Sequence, residues 1–354
     1  MFILRTIKNC KGEKKLFKKN VLFIGIVLIL ALSVVLTGCS NSAPVDNPDA
    51  IDNEVKPMAL VAGSASSGGA NYLIMSGWAE IINQNSQHRV TVEATGGPAS
   101  NIQMMGNGDA QIGVVTMSLA QPAYDGKGWA EGTKYDMMRS MFGVHEAFMD
   151  GVTLEGKGID SLRDLEGKSV SLGPAGGTPA LAVPPLLDVL GVNAKIVNLG
   201  QGDSINALKD GQIDAAIFFG GVPRPAFQEL AASHPAIRLG LKDEDVKAIT
   251  EKMPEYSIGI IKAGTYDYLD KEVLTLRDRY AFVIDKEIPD EVVYEIVKAT
   301  IDNMDKFVAV HKSLNILNSN DALLDGISIP LHPGAVKAYQ EAGINIPEKL
   351  MPPK

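Results

Sequence analysis

Residues 58–71 read Met58-Ala59-Leu60-Val61-Ala62-Gly63-Ser64-Ala65-Ser66-Ser67-Gly68-Gly69-Ala70-Asn71, an apolar run that stops at a glycine- and serine-rich turn. Over 72–83 the apolar spacing changes, and Leu73, Ile74, Gly77, Trp78, Ile81 and Ile82 fall on one face of a helix. A strand, a turn and an amphipathic helix make the first step of a βαβ unit, and the chain repeats it. Val90, Val92 and Ala94 alternate as a strand ending at Thr95-Gly96-Gly97, a helix over about 99–105 follows, and 112–115 is apolar again. That order favours a parallel sheet covered by helices.

A second progression begins after Asp164-Leu165-Glu166-Gly167-Lys168. Its pattern predicts strands at 169–172, 195–199 and 213–219, with helices at 178–190 and 204–209. A helix at 225–232, a strand near 237–239 and a helix at 243–252 come next. Pro184-Pro185 is expected to kink or restart the 178–190 helix. Past apolar runs at 258–261 and 280–284, a long helix over 290–310 and a terminal one over 334–342 are expected. This last third is too helical for a third sheet domain and is expected to pack back on the first unit. The chain is expected to cross between the units near 145–155 and 258–268.

Residues 1–20 hold seven basic side chains and one acid, and an uncharged apolar run follows from Val21 to Thr37. A basic flank before a short apolar stretch is a secretory signal. The run closes Leu36-Thr37-Gly38-Cys39, similar to a bacterial lipobox, in which cleavage precedes the cysteine and its thiol is acylated. An uncleaved anchor is the alternative, since 17 residues are near the lower limit for a span. Either way the body lies outside the cytoplasm. Loss of residues 1–38 removes seven of 33 basic side chains and one of 42 acids, so a net charge of −9 becomes about −15. Such a body is a poor partner for nucleic acid or anionic lipid. Cys10 leaves with the signal and Cys39 becomes the anchor, so no disulfide forms within the chain. Residues 39–57, rich in Ser, Asn, Pro and acids, read as a polar tether.

Glycine makes up 35 of 354 residues, about 10% against roughly 7% on average, and it clusters where strands turn into helices. Four such turns stand out: 63–71, Thr95-Gly96-Gly97-Pro98-Ala99-Ser100-Asn101, Gly173-Pro174-Ala175-Gly176-Gly177-Thr178, and Phe218-Phe219-Gly220-Gly221-Val222-Pro223. Glycine lets the backbone approach a ligand, and free N–H groups at helix starts attract anions. In open α/β sheets these loops gather at the carboxyl ends of strands. Ordinary turn and cap chemistry accounts for any one of them alone. Nucleotide motifs do not fit: Gly151 to Lys157 has the GxxxxGK spacing, but Gly158 stands where Ser or Thr is needed. The histidines show no metal-ligand spacing, and no nucleophile elbow appears. Arg224 follows the fourth turn. It is either a grip for a carboxylate at the mouth of the second unit or a surface residue at a helix start. Of Phe218 and Phe219, which face opposite sides of a strand, one is expected in the core and the other in a cleft.

In this order the sequence resembles a TAXI-type solute receptor of the TRAP (tripartite ATP-independent periplasmic) transporters. The resemblance runs from the first turn and Tyr72 through Thr95-Gly96-Gly97 and Gly108-Asp109-Ala110-Gln111-Ile112 to Asp164–Lys168. It continues through Ala207–Ala215 and Gly264-Thr265-Tyr266 to Leu331-His332-Pro333-Gly334-Ala335. It implies an α/β, periplasmic-binding-protein-like fold of type II, with two lobes, each a mainly parallel sheet flanked by helices, joined by a hinge. Lobe 1 is expected over 58–150 and 262–354, and lobe 2 over 151–261. It further implies capture of a small carboxylate or amino acid for delivery to a membrane permease, with Cys39 in the bilayer and no cofactor, metal or catalysis. A ligand-sensing lipoprotein or an extracytoplasmic enzyme on the same fold are the alternatives. The candidate ligand residues are Ser64, Ser66, Ser67, Gly69, Asn71, Tyr72, Gly97, Ser100, Asn101, Thr116, Ser118, Gly176, Gly177, Thr178, Phe219, Gly220, Gly221 and Arg224.

Overall fold

The computed structural model describes residues 55–253 and 256–353. The signal expected over 1–38, Cys39 and the tether up to residue 54 lie outside the described residues. The first progression forms β1 (Ala59–Gly63), α1 (Ala70–Asn85), β2 (Arg89–Glu93), α2 (Pro98–Asn107) and β3 (Ile112–Thr116). β2 and β3 both pair with β1 in parallel. Helix α3 (Met117–Asp125) follows at once, and the sequence pattern missed it because Pro122 interrupts a short, mixed segment.

Then comes β4 (Met138–Leu154), a single strand of 17 residues. The second progression gives β5 (Ser169–Ser171), α4 (Thr178–Leu190), β6 (Lys195–Val197), α5 (Gln201–Lys209) and β7 (Ala215–Gly220). Here β6 and β7 pair with β5 in parallel. After α6 (Pro225–Ser233), β8 (Ala236–Leu239), α7 (Val246–Lys252) and β9 (Ser257–Ile261), the chain returns along β10 (Val273–Asp285). The C-terminal helices are α8 (Asp290–Asp302), α9 (Met304–Ala309) and α10 (Pro333–Glu341).

Among the described residues ten strands form one sheet, with β2-β1-β3-β10-β4-β7-β5-β6 as its path, β8 beside β4 and β9 beside β10. The two long strands join its halves. Residues 280–284 of β10 lie antiparallel to β3, while 273–277 pair with β9. Residues 148–153 of β4 lie antiparallel to β7, and its first half pairs with the end of β10. The two strands therefore cross between halves where Arg277, Asp278 and Arg279 oppose Phe148, Ala147 and Glu146. The run at 258–261 is β9, and the charged Arg277-Asp278-Arg279 breaks the apolar pattern that marks a crossing strand.

One apolar core centres on Trp78, Phe142, Phe282 and Phe307, whose rings meet edge-on or tilted at centroid distances of 5.1–6.3 Å. The C-terminal helices close it: Trp78 Nε1 donates to Thr300 Oγ1 at 2.9 Å, and the Tyr339 hydroxyl donates to the Met141 carbonyl. A second cluster holds Val152, Phe218, Phe227, Leu230, Ile261, Tyr266 and Leu269. Tyr266 and Leu269, placed in lobe 1 by the sequence reading, therefore pack with the second half.

Two helix expectations change. α4 runs unbroken through Pro184 and Pro185 because Ala182, Val183, Leu186, Leu187 and Leu190 are buried along it, which outweighs the missing N–H groups. The helix expected over 290–310 divides at Asn303, whose side-chain amide donates back to the Ala299 carbonyl.

Candidate functional site

The four glycine-rich turns follow β1, β2, β5 and β7, and the sheet brings them together from both halves. They enclose a cavity of about 70 Å³. Its walls include Ser66, Gly69 and Asn71 from the first turn, Gly96 and Gly97 from the second, Gly177 and Thr178 from the third, and Phe219 and Gly220 from the fourth, with Arg224 beyond.

The halves touch across it. Gly176, in the second half, accepts the backbone N–H of Ala99 at 3.0 Å and that of Ser100 at 3.5 Å, at the start of α2 in the first. Those N–H groups have no helical acceptor of their own, so a carbonyl from the facing half satisfies them. The approach requires glycine: a Cβ on Gly176 would overlap Ser100 Oγ and lie 3.0 Å from Ser100 Cβ. Gly97 is held at φ +114°, where other residues are strained, with Gly177 directly opposite. Beneath them the Thr116 and Thr178 hydroxyls meet at 3.1 Å, again across the halves.

Arg224 is buried, not a surface residue. Its guanidinium lies over the Phe218 and Phe227 rings, Nη1 donates to Gln201 Oε1 at 2.9 Å, and its backbone N–H donates to the Tyr266 hydroxyl. Nε and Nη2 have no hydrogen-bond partner among the described residues. Nε lies 3.7 Å from Asp150 Oδ2, but Asp150 also pairs with buried Arg238 and accepts from Tyr266. Burial pushes both guanidinium pKa values down from their ordinary range, the direction expected when charge is removed from water.

On the other wall, burial pulls His145 down to about 3, so its ring is neutral. Nδ1 lies 2.7 Å from the Glu146 carbonyl, which only accepts, so Nδ1 carries the proton and Nε2 accepts. Nε2 is 2.7 Å from the Asn71 side-chain amide. Two acceptors do not bond, so the amide presents its NH2 side to the ring. Tyr280, pushed up to about 12 chiefly by burial, hydrogen-bonds both Asn71 and Thr178.

Several candidates serve the frame rather than the cavity wall. Asn101 donates to the carbonyls of Ser64 and Val114 and so ties the first turn to β3. Ser64 Oγ is buried without a partner. Ser67 is exposed and Tyr72 half-buried, and neither lines the cavity. Gly221 packs under Ser313. Ser118 donates to Asp278 in a separate recess of about 320 Å³ with Arg277 and Arg279. Phe218 and Phe219 are both buried and both reach the cavity, so the expected division between core and cleft does not occur. The sequence reading missed Gln201 and Tyr280 on the wall and Asp150, Arg238 and Tyr266 behind Arg224. Tyr266 stood in the quoted Gly264-Thr265-Tyr266, which was the available signal.

Among the described residues no group of three or more His, Cys, Asp or Glu is placed to hold a metal, and no helix is long and apolar enough to cross a membrane. Residues 62–343 match the NMT1-like family. Among solved structures, periplasmic binding protein BugD is 16% identical with a TM-score of 0.52, over 82% of this chain and 99% of that one. A putative L-cystine ABC transporter from Listeria monocytogenes is also 16% identical, with a TM-score of 0.47 over 73% of this chain and 96% of that one. The two-lobe, type II periplasmic-binding-protein-like architecture is thus that of this chain.

Proposed function

The chain belongs to the NMT1-like family, and from that premise and the cavity between its halves we propose that it is an extracytoplasmic solute-binding receptor and not an enzyme. It captures a small carboxylate or amino acid and presents it to a membrane permease. The order of motifs supports the TAXI-type receptor of a TRAP transporter as the finer reading, and the lipobox ending at Cys39 supports a lipid anchor. We place the lobe division at the middle of β4 and of β10, where the two strands cross.

The observation that carries this reading is Arg224: a buried guanidinium on the cavity wall with two donor atoms that find no hydrogen-bond partner among the described residues. A buried cation in that state favours an anionic partner. Gly177, Thr178, Ser66 and Asn71 then supply neutral contacts, and closure completes a shell drawn from both lobes. Calorimetric titration of the purified protein with carboxylates and amino acids is expected to give saturable heats. R224Q should weaken binding by ~10-fold or more, the worth of a charge-assisted bond. Absence of heat and of thermal shift across both panels overturns the receptor reading.

A further inference from the structure

The charges buried around the cavity do not cancel. Arg224 and Arg238 are 5% and 6% exposed, and Asp150, fully buried, faces both. Asp150 is committed to Arg238, and its Oδ2 accepts from Tyr266. Arg224 stands farther from it, with its one side-chain hydrogen bond directed to neutral Gln201. The other titratable groups beside Arg224 bring no counter-charge. His145 is neutral, burial lowers His311, and burial raises Tyr266 and Tyr280. Arg224 and Arg238 share one carboxylate, and the next ionisable pair, buried Arg279 and half-buried Asp278, carries one charge of each sign, which leaves one positive charge in a desolvated place.

The wall itself holds no Asp or Glu among the described residues. Its polar side chains besides Arg224 are neutral, and Phe218, Phe219, Pro98, Pro174 and Pro179 make much of the rest apolar. The other carboxylate near the site, Asp278, lies behind Thr116. It hydrogen-bonds Thr116, accepts from Ser118 and from the Arg279 N–H, and lines the separate recess.

Resting on the receptor reading above, we infer that the solute is a monoanion without an ammonium group: a small monocarboxylate, not an α-amino acid or a dicarboxylate. One carboxylate brings the buried charge to zero. A second leaves an unpaired negative charge, and an ammonium group finds no carboxylate on the wall; both are penalised in a closed, low-dielectric site. Asp150 sets this count from behind Arg224, which makes it a positioning residue for ligand charge.

The test is calorimetric titration of the full-length chain in detergent with matched probes: propionate, lactate and pyruvate as monocarboxylates, alanine and glutamate as amino acids, malonate and succinate as dicarboxylates. The expected result is at least one monocarboxylate binding tenfold or more tightly than its amino and dicarboxylate counterparts. If alanine, glutamate or a dicarboxylate binds as tightly as any monocarboxylate, the inference is wrong while the receptor reading stands. If none of the three classes binds, both fall. D150N doubles the unpaired positive charge and should move preference toward succinate, and an unchanged preference in folded D150N also overturns the inference. Where D150N does not fold, the wild-type series decides. Glutamate binding abolished by D278N would show that Asp278 reaches an ammonium and would likewise overturn it.

Discussion

Substituting Gly176 with alanine should hold the two lobes apart. In the closed structure the new methyl group would overlap Ser100 Oγ and lie 3.0 Å from Ser100 Cβ and 3.2 Å from its backbone nitrogen. Rotating the serine hydroxyl away relieves only the first of these contacts, so the β5–α4 turn must retreat from α2. Retreat breaks the bonds from the Ala99 and Ser100 N–H groups to the Gly176 carbonyl. At a net ~0.5–1.5 kcal/mol each, the closed state loses roughly 1–3 kcal/mol, and its population relative to the open state falls by about 5- to 150-fold. Affinity for any solute bound only in the closed form falls by up to the same factor, in proportion to the closed fraction lost. Small-angle scattering should report a larger radius of gyration for G176A than for wild type, with the thermal midpoint of the separate lobe cores little changed. S100G in the G176A background removes both side-chain contacts and should recover most of the compaction, less the cost of a glycine in a helix, ~0.5–1 kcal/mol. If G176A scatters like wild type, or if S100G restores nothing, the steric account of closure is refuted.

W78A should destabilise the first lobe by ~3–5 kcal/mol in urea unfolding, because the ring is fully buried against Phe142 and Phe282. T300V tests the indole bond separately and should cost ~1–3 kcal/mol by leaving Trp78 Nε1 unsatisfied. Buried His145 and half-buried Asp278 tilt the pH dependence in opposite directions. His145 falls from 6.5 to about 3 on folding, so the stability it contributes is complete above pH 6.5 and is lost as pH falls toward 3. Asp278 rises from 3.8 to about 6, so its contribution is complete below about pH 3.8 and is lost as pH rises through 6. Urea midpoints between pH 3.5 and 8 should therefore show a shallower acid limb for H145Q and less loss toward neutral pH for D278N; parallel curves for either variant would contradict the assigned burial.

How much of this was legible beforehand differs by element. The β1 strand, the 63–69 turn and α1 were readable because alternation, glycine and 3.6-residue spacing act over a few residues. The long strands were less so. β10 carries Arg277-Asp278-Arg279 in its middle, where the strand lines the polar recess beside Ser118 instead of an apolar layer. Ser67 and Tyr72 show the limit within the site: both stand in a turn that does reach the cavity, yet the backbone aims them elsewhere.

Taken alone, the sequence determined the two α/β progressions, the four glycine-rich turns and the position of Arg224 just past the fourth turn. All of these depend on neighbours in the chain. Only the tertiary structure decided that Arg224 is buried, that its counter-charge is shared with Arg238 through Asp150, and that Tyr266 braces it from a loop 42 residues away. A residue's ionic environment is set by which distant segments the sheet order brings beside it, and local pattern carries no trace of that. The anomaly of glycine marked where the cavity would be; the surplus of one buried positive charge, visible only in three dimensions, bears on what enters it.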